Sequence, residues 1–232
     1  MPTIIAIETS TELASVALLR NGSISMRESS GAQTHSMTVL TMLQDLIQEA
    51  GITLQACDAL AFGMGPGSFT GVRTACGLAQ GLAFGADIPV VPVVSLLAMA
   101  HAASRAGAGG SIVSILDARM GEVYWAQYRF QEQWEVVIAP TLSKPAVLKP
   151  ELNSESILHA CGNGLVAYAE DFTQLADAPR HTAIAPHATD VAQLAVTALA
   201  HGQVMHARDA QPLYLRNKVA LTTLERLVGV AV

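Results

Sequence analysis

Two stretches decide the fold: Thr3–Thr9, TIIAIET, and Ser111–Asp117, SIVSILD. Each is a short apolar run that closes on an acidic or hydroxyl residue, the pattern of a buried strand with a polar group at one end. Their surroundings match as well. After the first comes Leu13–Arg20, where Val16, Leu18 and Arg20 alternate with Ala17 and Leu19, then Asn21-Gly22, then a returning strand at Ser23–Glu28. Asn-Gly is the strongest short signal for a two-residue hairpin. After the second come Glu122–Phe130 and Trp134–Ala139, again a strand pair. The first half continues with a helix at His35–Ala50 stopped by Gly51, a strand at Ala59–Gly63, and a helix at Thr70–Phe84 closed by Gly85. A strand at Val90–Val94 and a helix from Ser95, its predicted cap, to Arg105 complete it. The second half has a helix near Pro150–Ser156, a strand at Ile157–Cys161 and a helix at Thr189–Ala200. Each half reads βββαβα, the first with that further strand and helix added, with an offset of about 108 residues across the small flexible joint Ala106–Gly110. An offset that long, without a short repeat, predicts a duplicated domain and not a solenoid. The predicted halves are residues 1–105 and 106–209, with 210–232 packing back on the first. Ala176–Pro186 is predicted as loop and Pro212–Asn217 as ordered chain.

Composition narrows the function. At about 150 residues per domain, 232 residues make one large domain or two small ones. Hydrophobic residues reach 51% and charged residues only 14%, so charge cannot cover the surface and part of it is expected to be an interface. The same hydrophobicity excludes disorder. A net charge of −6 and lysine only at 144, 149 and 218 exclude a protein that grips nucleic acid through a basic patch; any such role is indirect. The most apolar runs, Thr74–Ala86 and Ile88–Ser104, fall short of the roughly 18–20 clean apolar residues of a membrane span. The opening MPTIIAIETS has no basic region and is cut by Glu8, so it reads as a strand and not a signal peptide. Cys57, Cys76 and Cys161 are odd in number and set in apolar surroundings, which predicts reduced, buried thiols in a cytoplasmic protein.

Few residues advertise chemistry. Gly63–Gly71 (GMGPGSFTG) sits between a strand and a helix, where phosphate loops occur. No lysine stands at the Walker position, Ser68 occupies the place of the third dinucleotide-loop glycine, and Asp87 is not at a strand end. A tight turn for close helix packing is the plainer reading. His35, His101, His159, His181, His187, His201 and His206 form no zinc-ligand spacing. There is no nucleophile elbow, Ser68 has no nearby histidine or lysine, and Cys76 lies in an apolar helix that disfavours its thiolate. Glu8, Glu12 and Asp117 lie at or after strand ends. In a nucleotide-binding duplication such acids hold a metal–phosphate group; elsewhere they cap hairpins, and the residues alone leave both open.

The helices say more. His35–Ala50 carries Val39, Met42 and Leu46 on one stripe, Leu40, Leu43 and Ile47 on the next, and Met37 beyond, an arc wider than one core face needs. Thr70–Phe84 is rich in small residues: Gly71, Ala75, Gly77, Ala79, Gly81 and Ala83. A helical glycine costs about 1 kcal/mol against alanine, so a packing reason is expected. Burial under the sheet is one; a helix–helix interface with a second protein is the reading favoured here, because charge is so scarce.

Four stretches, Ile4–Thr11 (IIAIETST), Gly65–Arg73 (GPGSFTGVR), Asp117–Tyr124 (DARMGEVY) and Tyr214–Asn217 (YLRN), together resemble the TsaB (YeaZ) family. This is a bacterial branch of the TsaD/Kae/Gcp-like ASKHA (actin-like ATPase) proteins, and the resemblance spans essentially the whole chain. It implies an α/β ASKHA fold of two RNase H-like subdomains with mixed five-stranded sheets. It implies a part in forming N6-threonylcarbamoyladenosine beside the tRNA anticodon, where TsaD transfers threonylcarbamoyl from its adenylate and TsaE joins the assembly. The family places both the TsaD contact and a homodimer contact on the first two helices, so the two should compete. That implies an interface of His35, Met37, Val39, Met42, Leu46, Gly71, Val72, Ala75, Leu78, Ala79 and Leu82. On that reading Met42→Asp or Leu46→Asp abolishes association and leaves the monomer folded. Glu8, Ser10, Gly67, Ser68, Arg73, Asp117 and Arg119 carry the motifs without an assigned role. The catalytic relative's HxxxH metal pair aligns with Ser95 and Met99, and neither a hydroxyl nor a thioether replaces imidazole on a transition metal. Its ETSCDET motif stands here as Glu8–Ala14, ETSTELA, with Glu12 as the central acid and Leu13 in place of the next. The resemblance thus implies a scaffold with a decayed site and no catalytic, metal or cofactor residues. The alternative is a nucleotide-binding or protease-like enzyme.

Overall fold

A computed structural model describes residues 1–30, 35–152 and 157–216. Its first half runs β1 (Ile4–Glu8), β2 (Leu13–Arg20), β3 (Ser23–Ser30), α1 (His35–Glu49), β4 (Ala59–Gly65), α2 (Phe69–Ala86), β5 (Val90–Val94) and α3 (Ser95–Arg105). The second runs β6 (Ser111–Arg119), β7 (Glu122–Phe130), β8 (Trp134–Ser143), β9 (Leu158–Cys161), α4 (Gly164–Ala167), β10 (Arg180–His181) and α5 (Ala188–Ala200). The sheets are ordered β3-β2-β1-β4-β5 and β10-β9-β6-β7-β8, so each repeat adds its strands around its own first strand in the same way. In both, the first three strands are antiparallel and the later two parallel to the first. Asn21 (φ 52°) and Gly22 (φ 80°) are both left-handed, as the two-residue hairpin requires.

Strand β1 is buried along its length because both faces of the first sheet are covered. On one face, Ile5, Ile7, Leu60 and Phe62 pack against Val39, Leu43 and Leu46 of α1 and Ala75, Ala79 and Ala83 of α2. On the other, Ile4, Ala6, Ala17 and Val91 meet Ala188, Val191, Ala192 and Ala195 of α5. Helix α5, expected to complete the second half, is therefore core of the first sheet. The reciprocal helix does the reverse: Leu96, Met99, Ala100 and Ala103 of α3 cover Ile112, Leu116, Ala126 and Tyr128 of the second sheet. The halves exchange a helix each, and the two exchanged helices lie side by side. His101 Nε2 is 2.9 Å from Gln193 Oε1, and Arg105 pairs with Asp190 at 3.1 Å. Burial raises the Asp190 carboxyl above its ordinary value, and Arg105 pulls it back.

Local expectations needed several corrections. Helix α2 passes Gly85 and stops at Asp87, which takes the left-handed cap (φ 56°). Ser95 does not cap α3; Val94 is its cap residue, and the Ser95 hydroxyl donates to Glu8 instead. Residues 150–152 form no helix, and 153–156 of that expected helix lie outside the described residues. The expected loop at 176–186 contains β10, two residues parallel to β9. Past α5 the chain returns to the first half, where Ala210 O accepts from Gln80 Nε2 at 2.9 Å and Leu213 N–H donates to Met64 O at 2.7 Å. Asn217 and all that follows lie outside the described residues.

Candidate functional site

The carboxyl ends of β1 and β6, the corresponding strands of the two repeats, open on one cleft of about 770 Å³. Chain crossovers leave such a crevice beyond strand ends, and ligand sites favour it. Ser10, Glu12, Gly67, Ser68, Asp117 and Arg119 all line it, so most of the sequence-predicted motif residues converge although they come from distant stretches. Glu8 lies beneath, fully buried. Its Oε1 accepts from Ser10 N–H at 2.5 Å and its Oε2 from the Ser95 hydroxyl at 2.8 Å. Burial raises this carboxyl above the usual 4.5; the hydrogen bonds from Ser10, Ser95 and Thr9 act against it.

The glycine-rich turn is built for closeness. A methyl group on Gly63 would overlap the Glu8 carboxylate, one on Gly67 the backbone of Ser10, and one on Gly71 the carbonyl of Thr9. Three of the donors that a phosphate would use are already engaged. Ser68 N–H bonds Ser10 O at 2.7 Å, Gly71 N–H bonds the Ser68 hydroxyl at 3.1 Å, and Val72 N–H bonds Ser68 O at 3.0 Å. Ser68 is thus the cap of α2. The packing reading accounts for this loop.

On the opposite wall, Asp117 accepts from Arg119 N–H at 2.8 Å and from the Tyr168 hydroxyl at 2.9 Å. Its own N–H donates to Asn163 Oδ1 at 3.0 Å. The Arg119 side chain then spans the cleft, meeting Asp117 at 3.2 Å and Glu12 at 3.0 Å. Arg119, Met120 and Gly121 all take positive φ in the β6–β7 turn, which sets the guanidinium there. Arg216 fastens the returning chain to the same turn through Ala118 O at 3.0 Å and Glu122 at 2.8 Å. Each of the three acids the sequence singled out is therefore held by hydrogen bonds or an arginine. The described lining holds hydroxyls but no histidine or lysine to activate them. Asn163, Tyr168, Tyr214 and Arg216 were given no role at this site from sequence; only Tyr214 and Arg216 stood inside a recognised motif.

The donor set does not fit the relative's transition-metal pair. The Ser95 hydroxyl is spent on Glu8, and Met99 is fully buried between α3 and the second sheet. Among the described residues no three His, Cys, Asp or Glu side chains gather as ligands. Cys57, Cys76 and Cys161 are free and buried. Burial pushes their thiols up, Cys57 to about 11 and Cys161 to about 12, so none is a ready thiolate at neutral pH.

Most of the predicted interface residues are packed within the monomer. Val39, Met42, Leu46, Val72, Ala75 and Ala79 are buried in the monomer, and Leu78 and Leu82 are half-buried against the same core. Gly71 is buried against Thr9. Of the rest, Met37 is 73% exposed, while the side chain of His35, which opens α1, lies outside the described residues. The wide apolar arc has an internal cause: α1 must cover the sheet and also touch α2. What α2 turns outward is another stripe, Arg73, Gly77, Gly81 and Phe84. Around Gly77, Gly81 and Gly85 the space is open where a Cβ would stand. The four-residue spacing of these glycines was the signal available in sequence. No helix among the described residues is long and apolar enough to cross a membrane.

A family model described as TsaD, tRNA N6-adenosine threonylcarbamoyltransferase, matches residues 28–222. The tRNA threonylcarbamoyladenosine biosynthesis protein TsaB of Haemophilus influenzae is 37% identical over 98% of this chain and 98% of its own. The protein of the same name from Escherichia coli is 37% identical over 94% of this chain and 96% of its own. Among solved structures, YeaZ from Pseudomonas aeruginosa is similar with a TM-score of 0.87 and 38% identity, covering 93% of this chain and all of that one.

Proposed function

This chain belongs to the TsaB (YeaZ) family, and from that membership we propose that it serves tRNA threonylcarbamoyladenosine formation as the non-catalytic partner of a TsaD subunit. The observation that carries the reading is the outer stripe of α2. Gly77, Gly81 and Gly85 have no packing reason among the described residues, yet each weakens the helix by about 1 kcal/mol against alanine. Close approach of a second helix supplies the missing reason. Exposed Met37 on α1 and Phe84 at the far end of α2 give the face apolar anchors.

The cleft supports a scaffold over an enzyme. Its acids are tied to neighbouring donors and, among the described residues, its hydroxyls lack a base. In this reading the subunit docks TsaD through the outward strip of α1 and α2, TsaE joins that assembly, and a homodimer competes for the same strip. The work takes place in the cytoplasm, and tRNA is met through the partner. Residues 1–105 with 210–216 make one subdomain and 106–209 the other, with α5 lent to the first.

The test is formation of threonylcarbamoyladenosine on tRNA with the other pathway proteins present and this one added or omitted. Product that depends on this chain, and that vanishes when TsaD is withheld, supports the partner role. Product formed equally without it overturns the reading.

A further inference from the structure

We propose that Arg73 is a preformed receptor for a carboxylate side chain of the protein that docks on the outer face of α2. The proposal rests on the reading of that face as a protein contact. It begins with an anomaly. Every other described arginine meets an oxygen: Arg27, Arg105, Arg119, Arg129, Arg208 and Arg216 pair with acids, and Arg20 and Arg180 reach backbone carbonyls. Arg73 meets none among the described residues. It is held by rings instead, its guanidinium carbon 3.2 Å from the Phe69 centroid and 4.9 Å from that of Tyr214.

The two rings arrive independently. Phe69 stands one helical turn before Arg73 on α2, which makes them neighbours on the helix surface. Tyr214 comes from the returning chain, anchored next door by Leu213 N–H on Met64 O at 2.7 Å. Ring contact restrains a long side chain and uses none of its N–H donors, so the planar fork stays available for bidentate pairing. Phe69 and Tyr214 are each about half exposed, and Arg73 is exposed too. Arginine with aromatic neighbours is the composition of an interface hot spot. Position settles the occupant. Arg73 lies one turn before Gly77 and so opens the stripe that continues through Gly81 and Gly85. A partner helix seated on those glycines passes the guanidinium.

The alternative anion is a phosphate of RNA or of a nucleotide. Against it, the two arginines of the cleft that Phe69 and Tyr214 also border, Arg119 and Arg216, are already paired with Glu12, Asp117 and Glu122, no lysine lines it among the described residues, and the chain carries a net charge of −6. A polyanion needs several free cations, whereas a single carboxylate pairs with the one arginine that meets no acid among the described residues.

The test is a calorimetric titration of the full chain with the TsaD subunit of the same cell, at low and high salt. Arg73→Gln should weaken binding about 30-fold and flatten its salt dependence, the expected loss of one central charge pair. Arg73→Lys should recover little of it, because an ammonium offers no flat fork. Phe69→Leu should weaken binding less, and thermal unfolding should stay unchanged for all three. Gly81→Leu serves as the reference for the face itself. Loss of binding in Gly81→Leu with none in Arg73→Gln overturns the inference and leaves the partner role standing. Full recovery by lysine overturns the bidentate receptor. No effect of either Gly81→Leu or Arg73→Gln overturns the docking face and the inference with it. Unchanged TsaD binding by Arg73→Gln, together with lost affinity for tRNA or inorganic phosphate, overturns the carboxylate in favour of a phosphate.

Discussion

Gly63, Gly67 and Gly71 stand where a methyl group would overlap Glu8, Ser10 or Thr9, whereas Gly77, Gly81 and Gly85, further along the same stretch of chain, face open space. One residue type serves two ends here. The first three let α2 and its loop press against the end of β1 and shape the cleft. The second three leave open space on the far side of the helix among the described residues, the strip proposed above as a docking face. A glycine's meaning lies in what stands opposite it, and the two groups should respond to substitution with opposite signs.

The largest effect should come from the inner side. Leu46 is 1% exposed in the core that α1 and α2 share with the sheet. Leu46→Asp buries a carboxylate with no partner, and we expect a loss of about 4 kcal/mol or more, read by urea unfolding or as failure to fold. A well-folded Leu46→Asp monomer that merely loses its partner would return this helix face to the surface and break the comparison. Gly71→Ala comes next. Its methyl group meets backbone, which has little room to give, so destabilisation of about 3 kcal/mol is expected by the same measurement.

The outer group should go the other way. Gly77→Ala and Gly81→Ala each extend helix preference into open space and should raise the isolated chain's stability by about 0.5–1 kcal/mol. Both should weaken association with TsaD in a pull-down or titration. Stabilisation without weaker association would deprive the strip of its purpose.

The smallest effect concerns the acid that Gly63 accommodates. Burial sets the folded Glu8 carboxyl above its ordinary value of 4.5, so the folded state holds this proton more tightly than the unfolded chain. Its contribution is complete below the ordinary value and is lost as pH rises through the folded one. Unfolding free energies measured from pH 4.5 upward should therefore fall more for the wild type than for Glu8→Gln. Parallel curves would mean that the hydrogen bonds from Ser10, Ser95 and Thr9 balance burial, and a rise relative to Glu8→Gln that they outweigh it.

Legibility followed the range of the forces involved. The hairpin at Asn21-Gly22 and strands β1, β2, β5 and β7 were plain, since turn chemistry and apolar alternation act over a few residues. The cleft residues Ser10, Gly67, Ser68, Asp117 and Arg119 were found as motifs at strand ends. Their partners Asn163 and Tyr168 were not, because only the parallel pairing of β9 with β6 brings that chain to Asp117. Most of the residues expected at the interface are buried within the monomer, for a different reason. A helical wheel shows how wide an apolar arc is but not which part of it the sheet and the neighbouring helix consume, so Val39, Met42 and Leu46 were assigned outward.

The sequence by itself determined the duplication, most of the strands of each repeat and the clustering of small residues on α2. These follow from periodicity and chain connectivity, which backbone geometry enforces locally. Only the tertiary structure decided that α3 and α5 change sheets, which face of α2 meets solvent, and that Tyr214 closes over Arg73. Each is a choice among surfaces of similar apolar character, made by complementary shape and by where the returning chain can reach. Neither quantity is written in any single segment.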